Sequence, residues 1–190
     1  MSWTAIVPVN YGRDCKTRLS RHLSPAERVE LVATMARHVL DTLSRVPAIG
    51  TLALLSPERP PFAPDAWVRD HGRGLNAELA DARDRLPGPA TLFIHADLPL
   101  LGAGDITALL DAAGQSGAAI APDLAGTGTN ALAIADGRPF TPAFGPASLE
   151  AHKAALPGAA IVAREGLGFD VDEPESLHEA VARGLLSLRR

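Results

Sequence analysis

Cysteine is almost absent from this sequence, aromatic residues are few, and no long hydrophobic run occurs. The only cysteine, Cys15, excludes an internal disulfide and fits a reducing cytosol. No apolar stretch reaches the roughly 18 to 20 residues that cross a bilayer. The opening MSWTAIVPV has no basic segment before its apolar run, so it does not resemble a secretory signal. We therefore expect a cytoplasmic protein without a membrane partner.

An excess of positive charge is also missing. The formal net charge is -4 over 190 residues, which argues against a general affinity for nucleic acid. Glycines and prolines lie between periodic segments, and no internal repeat, low-complexity block or linker is evident. A chain of this length can bury the core of one domain. We predict that residues 1–190 form a single domain.

Strand-like and helix-like segments alternate along the chain. Ser24, Pro25 and Glu27 are typical of a capped helix start. The alternation favours an α/β domain with a mostly parallel sheet. The two strands around GTGTN could pair antiparallel, so the sheet is expected to be mixed. The pattern predicts strands at 3–9, 51–56, 66–70, 91–96, 118–123, 131–136 and 159–163, and helices at 24–46, 72–86, 104–115, 146–156 and 173–190.

Three aspartates lie where strands are predicted to end. Asp97 closes TLFIHAD, while Asp170 and Asp172 lie in GFDVDEP. Residues two apart in an extended segment point the same way, and ligands of such sheets bind at the carboxyl ends of the strands. An oxygen-rich pocket suits Mg²⁺ shared with substrate phosphates. Alternatively, Asp97 caps the turn before the next helix, and the other two are acids at a helix N-terminus.

Basic residues follow the first predicted strand. Arg13, Lys16 and Arg18 lie in GRDCKTRLS, where they could cradle a polyphosphate or form a solvated surface loop. The segment lacks the spacing of a P-loop. His95 would lie on the same strand face as Asp97 if the strand continues that far, and we interpret it as structural support for the strand rather than as a base.

Three further loops could bind an anion through backbone N–H groups, or could be ordinary turns. They are GRGLNAEL, GTGTN and AFGPASLEAH. Glycine permits close backbone approach in the first two, and Ser148 falls in the first turn of a predicted helix in the third.

Several of these motifs resemble one family. HADLPLL, GTGTNAL, AFGPASLEAH and GFDVDEPESL occur in the order found in the 2-phospho-L-lactate guanylyltransferase family. PVNYGRDCKTRLS resembles the basic N-terminal segment of that family, and GLNAEL resembles its G-L-N loop. The resemblance covers nearly the whole chain. It implies a Rossmann-like, three-layer α/β/α nucleotidyltransferase fold.

The resemblance also implies a reaction and its partners. These enzymes build the phosphodiester-linked precursor of coenzyme F(420). GMP would pass from GTP to a small phosphorylated carboxylic acid, with release of pyrophosphate. The acceptors within such a family are 2-phospho-L-lactate, phosphoenolpyruvate and 3-phospho-D-glycerate, and the sequence leaves the choice among them open. A monomer and a two-fold homodimer are both compatible with the sequence.

Individual residues receive roles from the same resemblance. Mg²⁺, with Mn²⁺ as an alternative, would be held by Asp97, Asp170 and Asp172. Catalysis would involve Lys16, Arg18 and Asp97. The nucleotide would be bound by Pro8, Asn10, Arg13, Lys16, Gly74 and Asn76, and the acceptor by Thr129, Gly145 and Ser148.

One position departs from the family pattern. A lysine is usual where this chain has Asn10, so one phosphate-binding charge is missing unless Arg13 replaces it. A non-catalytic nucleotide or metabolite sensor would explain this change, but the three aspartates disfavour that interpretation. A molybdenum-cofactor or sugar-phosphate nucleotidyltransferase would share the fold and the acids, but GTGTN and FGPAS argue against it.

Overall fold

The computed structural model of the protein describes residues 1–12, 15–64 and 66–187. Within these ranges the chain alternates strands and helices, with a short 3-10 turn at Thr17–Leu19. The strands are β1 (Trp3–Pro8), β2 (Ile49–Ser56), β3 (Ala66–Arg69), β4 (Thr91–Ile94), β5 (Ala118–Pro122), β6 (Thr129–Ile134) and β7 (Ala160–Ile161). The helices are α1 (Pro25–Ser44), α2 (Leu75–Arg85), α3 (Ala103–Ser116), α4 (Ser148–Ala155), α5 (Glu165–Gly168) and α6 (Pro174–Ala182).

All of these strands belong to one sheet in the order β3-β2-β1-β4-β6-β5-β7. Every neighbouring pair is parallel except those of β6, which runs antiparallel to both β4 and β5. The expected mixed, mostly parallel sheet is therefore confirmed. Because β6 runs the other way, its first residues lie at the edge where β4 ends, and Ile94 pairs with Ala131.

Helices cover both faces of the sheet and make three layers. Leu92 and Ile94 of β4 belong to the core cluster that includes residues of α1 and α3. Phe93, between them, belongs to the cluster that includes Leu79 of α2 and Leu149 of α4. Alternate residues of a strand point to opposite faces, so both faces of β4 are buried, as in a Rossmann-like α/β nucleotidyltransferase fold.

The start of α1 follows from its local sequence. Ser24 Oγ accepts a hydrogen bond from the Glu27 amide at 3.3 Å, and Glu27 Oε2 accepts one from the Ser24 amide at 2.8 Å. Pro25 occupies the first helical position, where no backbone donor is needed. The predicted capping box is confirmed.

One prediction near the C-terminus was wrong, and one short helix there was not predicted. The closing helix ends at Ala182 rather than extending to residue 190, because Gly184 adopts a left-handed φ of 70° just after the helix. The short helix α5 was not predicted, since two of its four residues are glycine, a poor helix former. No helix among the described residues is long and apolar enough to cross a membrane.

Candidate active site

A cavity of about 840 Å³ opens at the carboxyl ends of β1, β2 and β4. Its lining joins segments that are far apart in the chain, because neighbouring parallel strands end at the same edge of the sheet. The lining includes Pro8 and Asn10 at the end of β1, Leu55 and Glu58 around the end of β2, Asp70 and Gly72 after β3, His95 and Asp97 after β4, and also Lys16 and Asp172.

Lys16 joins two of the predicted metal-binding acids. Its Nζ donates to Asp97 Oδ2 at 2.5 Å and to Asp172 Oδ1 at 3.2 Å. The backbone holds the same segments together, since the Val171 amide donates to the Asp97 carbonyl at 3.1 Å. Residues that lie 81 and 156 positions apart in the chain therefore form one charged cluster on the wall of the cavity.

The starts of α3 and α6 bear on the alternative interpretations of the acids. Helix α6 begins at Pro174 with Glu173 as its N-cap, so Asp172 precedes the helix instead of lying in its first turn. Helix α3 begins after Gly102, whose amide is bound by Asp105 Oδ2 at 3.0 Å. Asp97 is thus not the cap of the following helix.

Burial and neighbouring charges shift the pKa values of Lys16 and Asp97 in opposite directions. Burial by itself lowers the pKa of Lys16, but the carboxylates of Asp97 and Asp172 outweigh it, and the pKa is raised. Burial by itself raises the pKa of Asp97, but the Lys16 ammonium and His95 hold the pKa of this carboxyl below its ordinary value. The Lys16 ammonium and the Asp97 carboxylate therefore stabilise each other in their charged forms.

Asp170 lies beside this cluster through a different contact. Asn130 Nδ2 donates to Asp170 Oδ1 at 3.2 Å and to the carbonyls of Leu167 and Gly168 at 3.1 Å. Burial and the negative charge of Asp97 raise the pKa of Asp170. An added positive charge would relieve this repulsion.

The donor atoms suit a hard cation. The predicted ligands offer only carboxylate oxygens, which Mg²⁺ and Mn²⁺ accept. Asp97 Oδ1 is buried without a hydrogen-bond partner, which leaves one oxygen available for a ligand. In this conformation no group of three or more His, Cys, Asp or Glu side chains among the described residues is gathered around one point. The ammonium of Lys16 lies between two of the acids instead.

The segment that carries Lys16 is constrained. Lys16 has φ 46° and ψ 48°, a left-handed conformation that is uncommon outside glycine. The buried Arg28 of α1 donates from Nε to the carbonyl of Cys15 at 2.9 Å and from NH1 to the carbonyl of Leu23 at 3.1 Å. These contacts fix the backbone directly before the lysine.

Arg18 is exposed and points toward the same acids. Its NH1 lies 2.6 Å from Asp172 Oδ2 and 2.9 Å from Glu173 Oε1. Arg13, the third cation predicted for this loop, lies outside the described residues. Pro8 and Asn10 line the cavity at the end of β1, as expected for positions near a nucleotide.

The loop before α2 is held by a buried carboxylate that the sequence analysis did not single out. Glu78 Oε1 accepts from the amides of His71 at 3.0 Å and Arg73 at 3.1 Å. The Arg73 guanidinium adds bonds of 2.9 Å to Oε1 and 2.8 Å to Oε2. These hydrogen bonds, the guanidinium first, lower the pKa of Glu78 to about 2. Only the position of Glu78 in GLNAEL could have indicated this role.

Gly74 and Asn76 connect this loop to the rest of the site. Gly74 is the N-cap of α2 and has φ 96°, which favours glycine. Asn76 donates from Nδ2 to the Phe144 carbonyl at 2.9 Å and accepts from the Phe144 amide at 2.7 Å. The predicted nucleotide loop is therefore tied to the loop that precedes α4.

The predicted acceptor residues form a second group around α4. The Ala143 amide donates to His152 Nε2 at 3.1 Å, so Nδ1 carries the ring proton and donates to Thr129 Oγ1 at 2.9 Å. Burial, with a smaller effect of His95, lowers the pKa of His152 to about 4. Gly145 has φ 129°, and its carbonyl accepts from the amide of Ser148, the first residue of α4.

The GTGTN turn is closed by an acid outside the motif. Asp123 accepts from the amides of Thr127 at 2.9 Å and Gly128 at 2.8 Å. Asp123, Asn130 and His152 were not assigned roles from the sequence, because their partners are set by folding. The predicted site residues that are described fall into two neighbouring groups, one around the cavity and one around α4, linked by Asn76 and Phe144.

Comparisons with known proteins agree with this geometry. The family described as "Guanylyl transferase CofC like" matches residues 3–184. A phosphoenolpyruvate guanylyltransferase of Sphaerobacter thermophilus is 36% identical over 192 residues, covering 94% of this chain and 92% of the relative. Related curated proteins with the same name share 33 to 36% identity with the chain.

Solved structures with much lower identity share the fold. The 2-C-methyl-D-erythritol 4-phosphate cytidylyltransferase of Thermus thermophilus superposes with a TM-score of 0.56 at 19% identity, covering 98% of this chain and all of the other. Glucosyl-3-phosphoglycerate synthase of Mycobacterium tuberculosis, solved with Mn²⁺ and uridine-diphosphate, gives a TM-score of 0.60 at 13% identity, with coverage of 97% and 77%. The chain is a nucleotidyltransferase and belongs to the CofC-like guanylyltransferase family.

Proposed function

We propose that the protein transfers GMP from GTP to a small phosphorylated carboxylic acid and releases pyrophosphate. The observation that carries this proposal is the cluster of Lys16, Asp97 and Asp172 on the wall of a large cavity. Phosphoenolpyruvate is the first acceptor to consider, because relatives are named for that substrate. 2-Phospho-L-lactate and 3-phospho-D-glycerate are the alternatives.

The main obstacle in this reaction is repulsion between two polyanions. The phosphate of the acceptor is already anionic near neutral pH, so it can attack the α-phosphorus of GTP without a strong base. The protein must therefore bring the reactants together and neutralise charge. Lys16 and Arg18 would stabilise the departing pyrophosphate, since both are held beside the cavity by acids that a bound nucleotide can replace.

The three acids would hold Mg²⁺ or Mn²⁺. Asp97 Oδ1 has no hydrogen-bond partner, and burial together with the negative charge of Asp97 raises the pKa of Asp170, so both acids favour a bound cation. When bound, such a cation screens the phosphate charges and orients the reacting oxygens. Asn130 would keep Asp170 in place for this role through its bond to Oδ1.

The loops at the two ends of the site would hold the substrates. Gly74 and Asn76, with Pro8 and Asn10, would lie near the nucleotide, and Glu78 would keep the loop before α2 in one conformation. Thr129, Gly145 and Ser148 would hold the acceptor. The product would serve coenzyme F(420) biosynthesis in the cytoplasm, as the resemblance of the sequence motifs implies.

A panel of nucleotides and acceptors tests this proposal. The purified chain would be incubated with GTP, ATP or CTP, each acceptor in turn, and Mg²⁺ or Mn²⁺. We expect pyrophosphate release only with GTP and one acceptor, and a product mass equal to the acceptor plus GMP less water. Binding of GTP without pyrophosphate release under every combination would favour a sensor and overturn the proposal.

A further inference from the structure

His95 is a residue of the cavity wall that the proposed reaction does not yet use. Among the described residues, two buried side-chain polar atoms lack a hydrogen-bond partner: Asp97 Oδ1 and His95 Nε2. Both residues line the cavity. A shielded polar atom without a partner destabilises the folded protein, and most such atoms in native proteins find a partner in protein, water or ligand. The proposed cation would account for Asp97 Oδ1, whereas His95 Nε2 needs another partner.

The strand places the His95 ring between the acids and the acceptor loop. The His95 amide donates to the Asn130 carbonyl at 2.9 Å, so the backbone continues the pairing of β4 with β6. The ring centroid lies 5.2 Å from that of Phe144, the residue directly before Gly145. His95 directly follows the last residue of β4 and lies two residues before Asp97, and both residues line the cavity.

Electrostatic effects agree with a position of His95 between the metal acids and the residues around α4. After the larger effects of burial and of Lys16, His95 helps to lower the pKa of Asp97. After burial, it also lowers the pKa of His152, which binds Thr129. The ring is therefore close to the proposed metal acids on one side and to the proposed acceptor residues on the other.

The neighbouring hydroxyl indicates what kind of ligand belongs there. His152 donates to Thr129 Oγ1, which is buried. The hydroxyl therefore already accepts one bond, and its own hydrogen can be donated. A neutral imidazole has one N–H donor of the same kind. The His95 ring lies 5.2 Å from the Phe144 ring, which lies 4.8 Å from the ring of His152, the partner of Thr129. Two donors in this part of the site suit an anionic oxygen of a carboxylate or phosphate.

We propose that His95 binds the acceptor, with its Nε2–H donating a hydrogen bond to an anionic oxygen of the phosphorylated acid. This inference rests on the proposed function and deepens it, because it adds a residue of the acceptor subsite. A directional N–H donor at this position would orient the acid through one hydrogen bond.

Two substitutions and one control test the role of His95. His95→Phe keeps a planar ring but removes the donor, and His95→Gln returns an N–H close to the place of Nε2. His178→Gln makes the same change at an exposed histidine of α6 that does not line the cavity. Binding of phosphoenolpyruvate, 2-phospho-L-lactate and 3-phospho-D-glycerate would be measured by calorimetry with Mg²⁺ and a GTP analogue that has a methylene between the α- and β-phosphorus. Steady-state kinetics would give the KM of each substrate.

We expect His95→Phe to weaken acid binding and raise the KM of the acid by about tenfold, the effect of one lost hydrogen bond. The KM for GTP should change by less than about twofold, because the nucleotide does not contact this nitrogen. His95→Gln should recover most of the loss, and His178→Gln should behave as the wild type. If His95→Phe does not fold, as judged by circular dichroism, His95→Asn replaces it, since its shorter side chain moves the donor away.

Three results would overturn the inference. In the first, His95→Phe, which lacks the donor, binds the acid as tightly as the wild type. In the second, the KM values of acid and GTP rise together, which indicates a structural role. In the third, the wild type binds none of the acids. Acid binding that depends on His95 without any pyrophosphate release would instead overturn the proposed function alone.

Discussion

The ammonium nitrogen of Lys16 lies 2.5 Å from Asp97 Oδ2, and both side chains are largely buried on the wall of the main cavity. The same nitrogen lies 3.2 Å from Asp172 Oδ1. A lysine thus holds a positive charge between acids that we assign to a divalent cation. Binding of the cation and the nucleotide would require the lysine to exchange these carboxylates for phosphate oxygens.

Replacement of Asp97 by Asn should abolish turnover while the fold survives. The substitution removes one charged ligand and leaves the volume of the side chain almost unchanged, so we expect kcat to fall by more than about 100-fold with Mg²⁺. Pyrophosphate release measures this loss, and circular dichroism checks the fold. Asp111→Asn, at an exposed position of α3, is the matched control. A variant with the wild-type kcat would rule out the metal assignment of Asp97.

Replacement of Lys16 by Met should separate metal binding from turnover. In the wild type, a metal cation must compete with the Lys16 ammonium for Asp97 and Asp172. Without the ammonium this competition is absent, so we expect Mn²⁺ to bind at least about fivefold more tightly in the absence of nucleotide. Turnover should fall, because the charge that faces the pyrophosphate is lost. Calorimetry or electron paramagnetic resonance of Mn²⁺ measures the first effect.

The control for this variant is Lys153→Met, which removes an exposed lysine of α4 that pairs with Glu150. Its Mn²⁺ affinity should equal that of the wild type. Unchanged or weaker Mn²⁺ binding by Lys16→Met would show that the lysine does not compete with a cation at this site.

Replacement of Glu78 by Gln should loosen the loop before α2. The neutral side chain cannot accept all of the bonds from the His71 and Arg73 amides and the Arg73 guanidinium. We expect the KM for GTP to rise by about three- to tenfold with little change in kcat, and the amides of His71 and Arg73 to exchange hydrogen faster. Equal effects on kcat and on the KM for both substrates would argue against a role confined to the nucleotide loop.

The pH dependence of this loop follows from the pKa of Glu78, which is lowered to about 2 from 4.5. A lowered carboxyl pKa stabilises the folded chain above the unfolded value. Its contribution is therefore complete above about pH 4.5 and is lost as the pH falls toward 2. The matched control is Glu30→Gln, at an exposed position of α1, which should leave loop exchange unchanged at every pH.

Replacement of His152 by Asn should reduce the loss of stability in mild acid. Burial lowers the pKa of His152 from 6.5 to about 4, so the unfolded chain binds a proton in this window more readily than the folded chain. The free energy of unfolding therefore falls as the pH drops from about 6.5 to 4. Asn keeps a donor for Thr129 but does not titrate. Urea unfolding at about pH 7.5 and about pH 5 should show a smaller difference for the variant, and equal differences would contradict the prediction.

Much of the secondary structure follows from short-range sequence. Ser24, Pro25 and Glu27 start α1 where the motif indicates, since a capping box needs only residues three apart. The buried run before Asp97 forms β4, and the alternation of strands and helices yields the mostly parallel sheet. Gly184 ends α6 earlier than predicted. The two glycines of α5 gave no sign of a helix in the sequence, because local propensity is weak compared with tertiary contacts.

The candidate site depends both on the residue types in the sequence and on the tertiary structure that groups them. The residue types of Asp97, Asp170 and Asp172 are enough to suggest a cation, and the ordered motifs suggest the family. Their grouping depends on strand order, because the insertion of β6 antiparallel beside β4 brings Asn130 next to Asp170 and His95 next to the acceptor loop. Glu78 binds His71 and Arg73 within its own stretch of chain. The position of Lys16 between two acids and the bond between His152 and Thr129 are long-range contacts. Such contacts follow from how the layers pack in three dimensions, whereas capping and strand patterns are set by neighbours along the chain.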